Sequence, residues 1–549
     1  MTTGITLGTS GLDIDTLVKN SMKTAQAKYD KAYKAEQKAE WTKSAYTDIY
    51  SAVKTFQSTA SDYKYSSNTS AHTVTSTSTA VTAKANATAA CTSHDVTVSK
   101  LASNVLLQSQ TEISAAQDDS INLADFAGID TTNTSTDTAL SFTIGDGTTT
   151  KTISYTYLQL NGGTDSDGNT VTAKTLNDLA SDIKSAGLNI SASYDSTNDS
   201  FSLYNTETGS ANKIVLTADS GSSARTMFNN LDLASYGYAT DSATEKTSTD
   251  LDEDALFATA GVAGTNATFT VDGKSYSTSS NTNTINNVTY TLTDTTSSTA
   301  KLTVAVDTDA IVEKVQSFVD AYNKVLDAIN TATHEAKYSD YEALTDDEKE
   351  EMSDDDITAW NEKAKSGLLK NDSILTNISD AMRSALSDTV NSITGTYTSL
   401  ASIGITASSD YTDYGEISLD TDTLEKALAD DPDCVYNLFS TKGTSNYTKG
   451  TSSYTQQIYD NNGIAYRLYN ISTDGMGTIE DQAGTSASYT DDTSSVLGIK
   501  INAMQDNLET LQDWLDDKED YYYNKYNAME TAMSNYSSQV STLTSMLGS

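Results

Sequence analysis

Proline is nearly absent: Pro432 is the only one in 549 residues, so few slow isomerisation steps can delay refolding. Cysteine is almost as scarce. Cys91 and Cys434 stand far apart in sequence, which argues for two thiols serving as small buried hydrophobes rather than for a disulfide. Positive charge is also sparse, with 34 Lys and Arg against 75 Asp and Glu and a net charge of −41. That balance repels nucleic acid and anionic membrane surfaces. No run of about eighteen apolar residues exists, so no segment is expected to span a membrane. The N-terminus lacks the basic and apolar regions of a secretory signal peptide. The three histidines, His72, His94 and His334, fall in three different expected elements, and no HExxH pair, Walker loop, nucleophile elbow or CxxC occurs. Carboxylates on so acidic a surface single out no catalytic pair, so neither an enzyme nor a metal or other cofactor is expected.

What the chain does have is an apolar ladder close to its end. Leu497, Ile501, Met504, Leu508, Leu511 and Leu515 recur at alternating steps of four and three, the spacing of a coiled-coil seam. The ladder then steps through Lys518 and Tyr522 to Tyr526, a stutter that locally unwinds a supercoil. It resumes as Met529, Met533, Tyr536, Val540, Leu543 and Leu547. One narrow stripe cannot bury itself, so a partner is required. The other terminus offers one: Val18, Met22, Ala25, Tyr29, Ala32, Ala39 and Tyr46 share a four-and-three register. Ser10 to Asp15 supply turn and N-cap chemistry just before it, while residues 1–12 carry little periodicity and are expected to order only on binding.

Between these helices the pattern changes. Alternating segments at 74–110 read as strands. The same grammar returns after residue 260, around the Asp272-Gly273 turn, Thr289 to Thr293 and Lys301 to Val306. Two strand sets flanking a large middle segment imply one domain interrupted by an insertion. That insertion, 111–260, predicts strands at Leu140 to Ile144, Asn189 to Tyr194 and Phe201 to Tyr204. It also predicts a helix with Thr175 and Asp178 as a capping box and Gly187 at its stop. Helix returns at 308–335, followed by two acidic capping boxes, Thr345 to Glu348 and Ser353 to Asp356, which place carboxylates at positive helix ends. Neither has the spacing of a calcium loop. Asp165-Ser-Asp-Gly-Asn169 reads as a polar hairpin turn. A hairpin, two short helices and a helix from Gln456 toward Tyr469 complete the chain before the terminal ladder. Trp41, Trp360 and Trp514 are expected at helix contacts.

Several strings then gain weight as an ordered set: Leu7-Gly-Thr-Ser-Gly-Leu-Asp13, Val96 to Ala102, Phe318-Val-Asp-Ala-Tyr-Asn323, Gly367 to Ser373, Ile403-Gly-Ile405, Asp430 to Asp433 with Leu438-Phe439, and Tyr526 to Met533 continuing to Leu547. In that order, over roughly 1–110 and 260–549, the chain resembles the bacterial flagellar filament-capping family, also called flagellar hook-associated protein 2. The middle resembles that family only loosely, and Thr175 to Leu216 is similar to a small module of flagellins and caps.

The resemblance implies an α+β multidomain architecture. An antiparallel terminal coiled coil would form legs from 1–45 and 500–549, and a helix-rich stalk would take 46–73 and 308–499. Two β-rich heads would nest as insertions, one from 74–110 and 261–307 and an outer variable one from 111–260. It further implies an extracellular closed homo-oligomer at the filament tip, a pentamer within a range of about four to six subunits, that retains exported flagellin and promotes its folding and polymerisation. Its other partners would be the hook-filament junction proteins, an export chaperone and the flagellar type III export apparatus, with no nucleic acid and no membrane. On this reading Val18, Met22, Ala25, Tyr29, Leu508, Leu511, Leu515, Met529 and Met533 hold the leg helices together, while Leu7, Leu12, Leu543 and Leu547 dock on the filament. Two alternatives share parts of the pattern. A flagellin-like or junction subunit would polymerise without closing, and an adhesin would use the Thr-rich outer domain to bind host glycan or mucin.

Overall fold

The computed structural model describes residues 13–114, 121–238, 246–251, 253–488 and 492–547. The chain forms two compact units, one from residues 1–70 and 308–549, the other from 71–307.

The first unit is built on a helix that runs unbroken over Ile14–Asp62. It opens on Asp13, whose carboxylate accepts the Thr16 N–H at 3.0 Å and so satisfies one of the amides that a helix start leaves orphaned. Its later half buries Tyr46, Ile49, Tyr50, Val53, Phe56 and Ala60, a spacing of three and four that keeps one face toward a core. Against that face lies the helix Thr308–His334, with Ile311, Val315, Phe318, Val319, Tyr322 and Leu326 buried as their periodicity predicts. Phe318 meets Phe439 edge-on at 4.8 Å between centroids, and Tyr63 packs at 5.4 Å from Phe318. Each such fully buried ring contributes roughly 1.5–3 kcal/mol. Both acidic caps form: Thr345 and Glu348 exchange hydrogen bonds, and Ser353 accepts from the Asp356 N–H.

One expected helix is in fact two. The stretch from Gln456 to Tyr469 breaks at Asn462 and Gly463 into Ser452–Asn461 and Ile464–Ala483. A side chain on Gly463 would come within 2.5 Å of the Phe439 carbonyl oxygen, so close packing rather than helix propensity sets the break.

The second unit contains two hydrophobic cores. The inner one joins a five-stranded antiparallel sheet, ordered His72–Ser76, Ala300–Val306, Ser93–Lys100, Ala267–Val271, Lys274–Thr278, to a three-stranded sheet of Thr282–Ile285, Val288–Leu292 and Val81–Ala85. Val96, Val98, Phe269, Tyr290 and Leu302 fill it. Asp272 and Gly273 both take positive φ, 50° and 77°, the two-residue turn whose twist matches paired strands.

The outer core sits among a second five-stranded sheet, a four-stranded sheet and the helix Leu176–Lys184, with Phe142, Leu179, Ile183, Phe201 and Phe228 inside. The Thr175 and Asp178 capping box forms as read, and Asp165 closes the polar turn by accepting the Asn169 N–H at 2.7 Å. The strand Leu106–Ser109 differs from expectation. It pairs with Ser200–Asn205 and Leu233–Tyr238, so Val105 and Leu107 pack in the outer core, although alternation alone grouped them with the preceding strands. The cysteines also divide: Cys434 is buried, and burial pushes its thiol up to about 12, whereas Cys91 is exposed and does not serve as a buried hydrophobe.

Asp146 gives the outer module a pH dependence. Burial alone would raise its pKa, but hydrogen bonds from Thr149, Thr148 and Asn189 outweigh that and hold it at about 2 against an ordinary 3.8. A group depressed in the folded state stabilises fully above its unfolded pKa, and that contribution fades as pH falls through the folded value. Asp146→Asn should therefore cost the module roughly 2 kcal/mol at neutral pH. Urea unfolding at stepped pH should show the difference from the natural chain vanishing between about pH 4 and pH 2.

Candidate assembly surface on the terminal helices

The C-terminal helix spans Val496–Leu547 without interruption, straight through the stutter. It lies antiparallel to the N-terminal helix, as three side-chain bonds show: Gln505 donates to Glu36 at 2.8 Å, Ser21 and Tyr526 hydroxyls meet at 2.8 Å, and the Tyr523 hydroxyl donates to Asp15 at 3.1 Å. Leu497, Ile501, Leu508, Leu511 and Leu515 are buried on one side of the pair, and Val18 and Ala39 on the other. Met22, Ala25 and Tyr29 are half-buried along the same line. Lys28 sits 5.3 Å over the Trp514 ring, so this tryptophan does lie at a helix contact. Past the buried leucines, Tyr522 and Tyr526 stack at 6.2 Å and replace aliphatic packing where the register shifts.

An ion pair anchors the root of this arm. Lys43 is wholly buried and donates both to the Asp492 carboxylate and to the Ala483 carbonyl, the last residue of its helix, where the dipole favours a cation. Burial opposes ionisation of Asp492, but hydrogen bonds from Lys43 and Ser495 hold its carboxyl far below the usual carboxylate range. Spacing rules could not anticipate this pair, because Lys43 reads as an ordinary solvated lysine.

The expected leg contacts do not all come together. With Asp15 opposite Tyr523, the described part of the N-terminal helix runs out near Tyr526. Met529 and Met533, assigned to the seam from their spacing, are 41% and 44% exposed and meet no facing helix among the described residues. Beyond them Tyr536, Val540, Leu543, Met546 and Leu547 are more exposed still, up to 82% at Leu547. The apolar stripe therefore continues for some twenty residues, about 30 Å of helix, past the paired region. Leu7 and Leu12 lie outside the described residues.

Among the described residues no group of His, Cys, Asp and Glu is arranged to hold a metal ion, and no helix is long and apolar enough to cross a membrane. Paired terminal helices that end in an apolar stripe exposed among the described residues, with β-rich segments inserted between them in sequence, have the character of a structural subunit rather than of a catalytic domain.

Comparison with known proteins specifies the kind of subunit. The family descriptions of the flagellar hook-associated protein 2 N-terminus and C-terminus match residues 10–105 and 264–538. A flagellar hook-associated protein 2 of Halalkalibacterium halodurans is 29% identical over 97% of this chain and 98% of its own length. One from Thermotoga maritima is 33% identical over 28% of this chain and 24% of its own. The crystal structure of the D1-D2-D3 domains of the flagellar cap protein FliD from Escherichia coli shares the fold, with a TM-score of 0.50 over 84% of this chain and 99% of that one at 22% identity. The chain belongs to the flagellar hook-associated protein 2 family, the flagellar cap proteins.

Proposed function

We propose that this chain caps the distal tip of the flagellar filament as a closed homo-oligomer, retaining exported flagellin and promoting its folding and polymerisation, without catalysing a reaction. The observation that carries the reading is the apolar stripe through Met529, Met533, Tyr536, Val540, Leu543 and Leu547, which is exposed among the described residues on a helix whose earlier part buries Leu497, Ile501, Leu508, Leu511 and Leu515. Such a stripe is stable in water only if another surface covers it in the assembled state. Other helical termini are the natural cover, since ridges and grooves of like spacing interlock. Leu543 and Leu547, with Leu7 and Leu12, are the residues assigned to that contact, and the paired stretch from Val18 to Tyr29 against Leu508 to Leu515 carries them as a leg. The body between the legs comprises the stalk and two nested heads. Export by the flagellar type III route, an export chaperone and contact with the hook-filament junction proteins belong to the same reading.

Light scattering coupled to size exclusion on the full chain tests it. A closed small oligomer whose mass stops rising with concentration supports a cap. Open-ended polymers would make the chain a filament subunit, and a strict monomer at high concentration would contradict the closed ring.

A further inference from the structure

The first unit contains a short hairpin, Ile405–Ala407 with Ile417–Leu419, whose two edges are treated differently. Ser408 donates to the Glu416 carbonyl and Asp420 to the Gly404 carbonyl, so the even-numbered residues of the first strand turn their backbone groups toward the second. The odd-numbered ones turn theirs away. On the second strand the outward groups of Ile417 are satisfied: its N–H reaches Asn323 Oδ1 at 2.9 Å and its carbonyl accepts from Asn323 Nδ2 at 2.8 Å. The Asn323 amide thus stands where a third strand would pair. On the first strand no side chain among the described residues pairs with the outward groups of Ala407, although Ile405 is buried. Ala407 is exposed, and this edge lines a cavity of about 930 Å³.

Into the same cavity faces Tyr322, the neighbour of Asn323. Its side chain is completely buried, yet its hydroxyl has no hydrogen-bond partner among the described residues. A buried hydroxyl left unpaired costs on the order of 1–3 kcal/mol, a cost that a polar group brought to it through the cavity would offset. Charge on the lining is uneven: Asp380, Asp388 and Asp410 outnumber Arg383, which reaches Asp380 only at 3.4 Å, while Asp388 accepts the Tyr459 hydroxyl at 3.1 Å and lies near Arg467.

We propose that this cavity receives an extended segment of another polypeptide, which adds as a strand along Ala407, hydrogen-bonds the Tyr322 hydroxyl and places a lysine or arginine among the three carboxylates. Strand addition needs a free edge and gains affinity from main-chain bonds, while flanking side-chain pockets give preference. A second copy of this chain is a poor donor, because its own charge of −41 matches the sign of the lining. The proposal does not depend on the capping reading, since binding is read on the isolated chain.

The probe is an end-capped, fluorescein-labelled hexapeptide, Thr-Val-Lys-Val-Thr-Val, with a second peptide carrying Glu in place of Lys, titrated against the full chain by anisotropy. Saturable binding of the Lys peptide, at least about tenfold tighter than the Glu peptide, is expected. Ala407→Pro removes the outward N–H at an edge where proline is tolerated and should weaken binding about tenfold or more without moving the melting transition. Tyr322→Phe separates a binding role from a structural one: deleting an unpaired hydroxyl should leave melting unchanged or raise it, yet weaken the Lys peptide several-fold. No saturable binding, or equal binding by the natural chain and both variants, would overturn the proposal. Loss of self-association in Ala407→Pro without peptide would overturn it in favour of a second copy.

Discussion

Replacing Arg467 with methionine should destabilise the helical unit by at least about 3 kcal/mol, the largest loss expected from any single side chain here. Its guanidinium is 1% exposed and donates to five backbone carbonyls: Tyr459 at 3.0 Å, Asp460 at 2.9 Å, Asp388 at 2.9 Å, Thr389 at 2.7 Å and Ala385 at 3.5 Å. These carbonyls close the C-terminal ends of two helices, Ser373–Ser387 and Ser452–Asn461, where unpaired acceptors and partial negative charge accumulate. Burial lowers the pKa of Arg467, and Tyr459 and the nearby carboxylates of Asp388 and Asp460 push it back up. Methionine would fill the space but leave the acceptors dry, at a cost of about 1–3 kcal/mol for each group that water cannot reach. Arg467→Lys should recover only part of the loss, because an ammonium has three donors where the planar fork has five. Chemical unfolding followed by circular dichroism reads both variants. A loss below about 1 kcal/mol for Arg467→Met would show that water replaces the guanidinium.

The second large effect is functional and leaves folding untouched. Leu543→Asp combined with Leu547→Asp alters two side chains that are 57% and 82% exposed, so helix content and melting should match the natural chain within about 0.5 kcal/mol. Capping should nevertheless fail. If the stripe docks on apolar helices as proposed, charged groups placed on it pay desolvation without a partner, several kcal/mol for the pair, enough to cut tip occupancy by a hundredfold or more. Leu511→Asp is the contrasting case: that residue is 6% exposed within the paired helices, and its loss should lower stability as well. Immunogold counts of the chain at filament ends read the double variant. Normal occupancy would remove Leu543 and Leu547 from the docking surface.

Local chemistry was the readable part of this sequence. The four-and-three ladders located both terminal helices, and the caps at Thr175 and Thr345 and the turn at Asp272 and Gly273 formed where their residue types require. What escaped depends on distant contacts. Leu106–Ser109 carries the same alternation as the strands before it, and only its partners assign it to the outer core. Arg467 and Lys43 look like solvated cations on helices, and their burial follows from where other helices end. The limit of the leg pairing was equally hidden, because the ladder continues past Tyr526 while the facing described helix does not. Asn323 carries no periodic signal for its role as a surrogate strand.

The most direct measurement is electron microscopy of flagella from the source bacterium after deletion of its chromosomal copy, with and without this chain supplied in trans, together with an assay of flagellin in the medium. The account predicts full-length filaments bearing the chain at their distal ends when it is supplied, and bare hooks with flagellin lost to the medium when it is not. Filaments of normal length in its absence would contradict it.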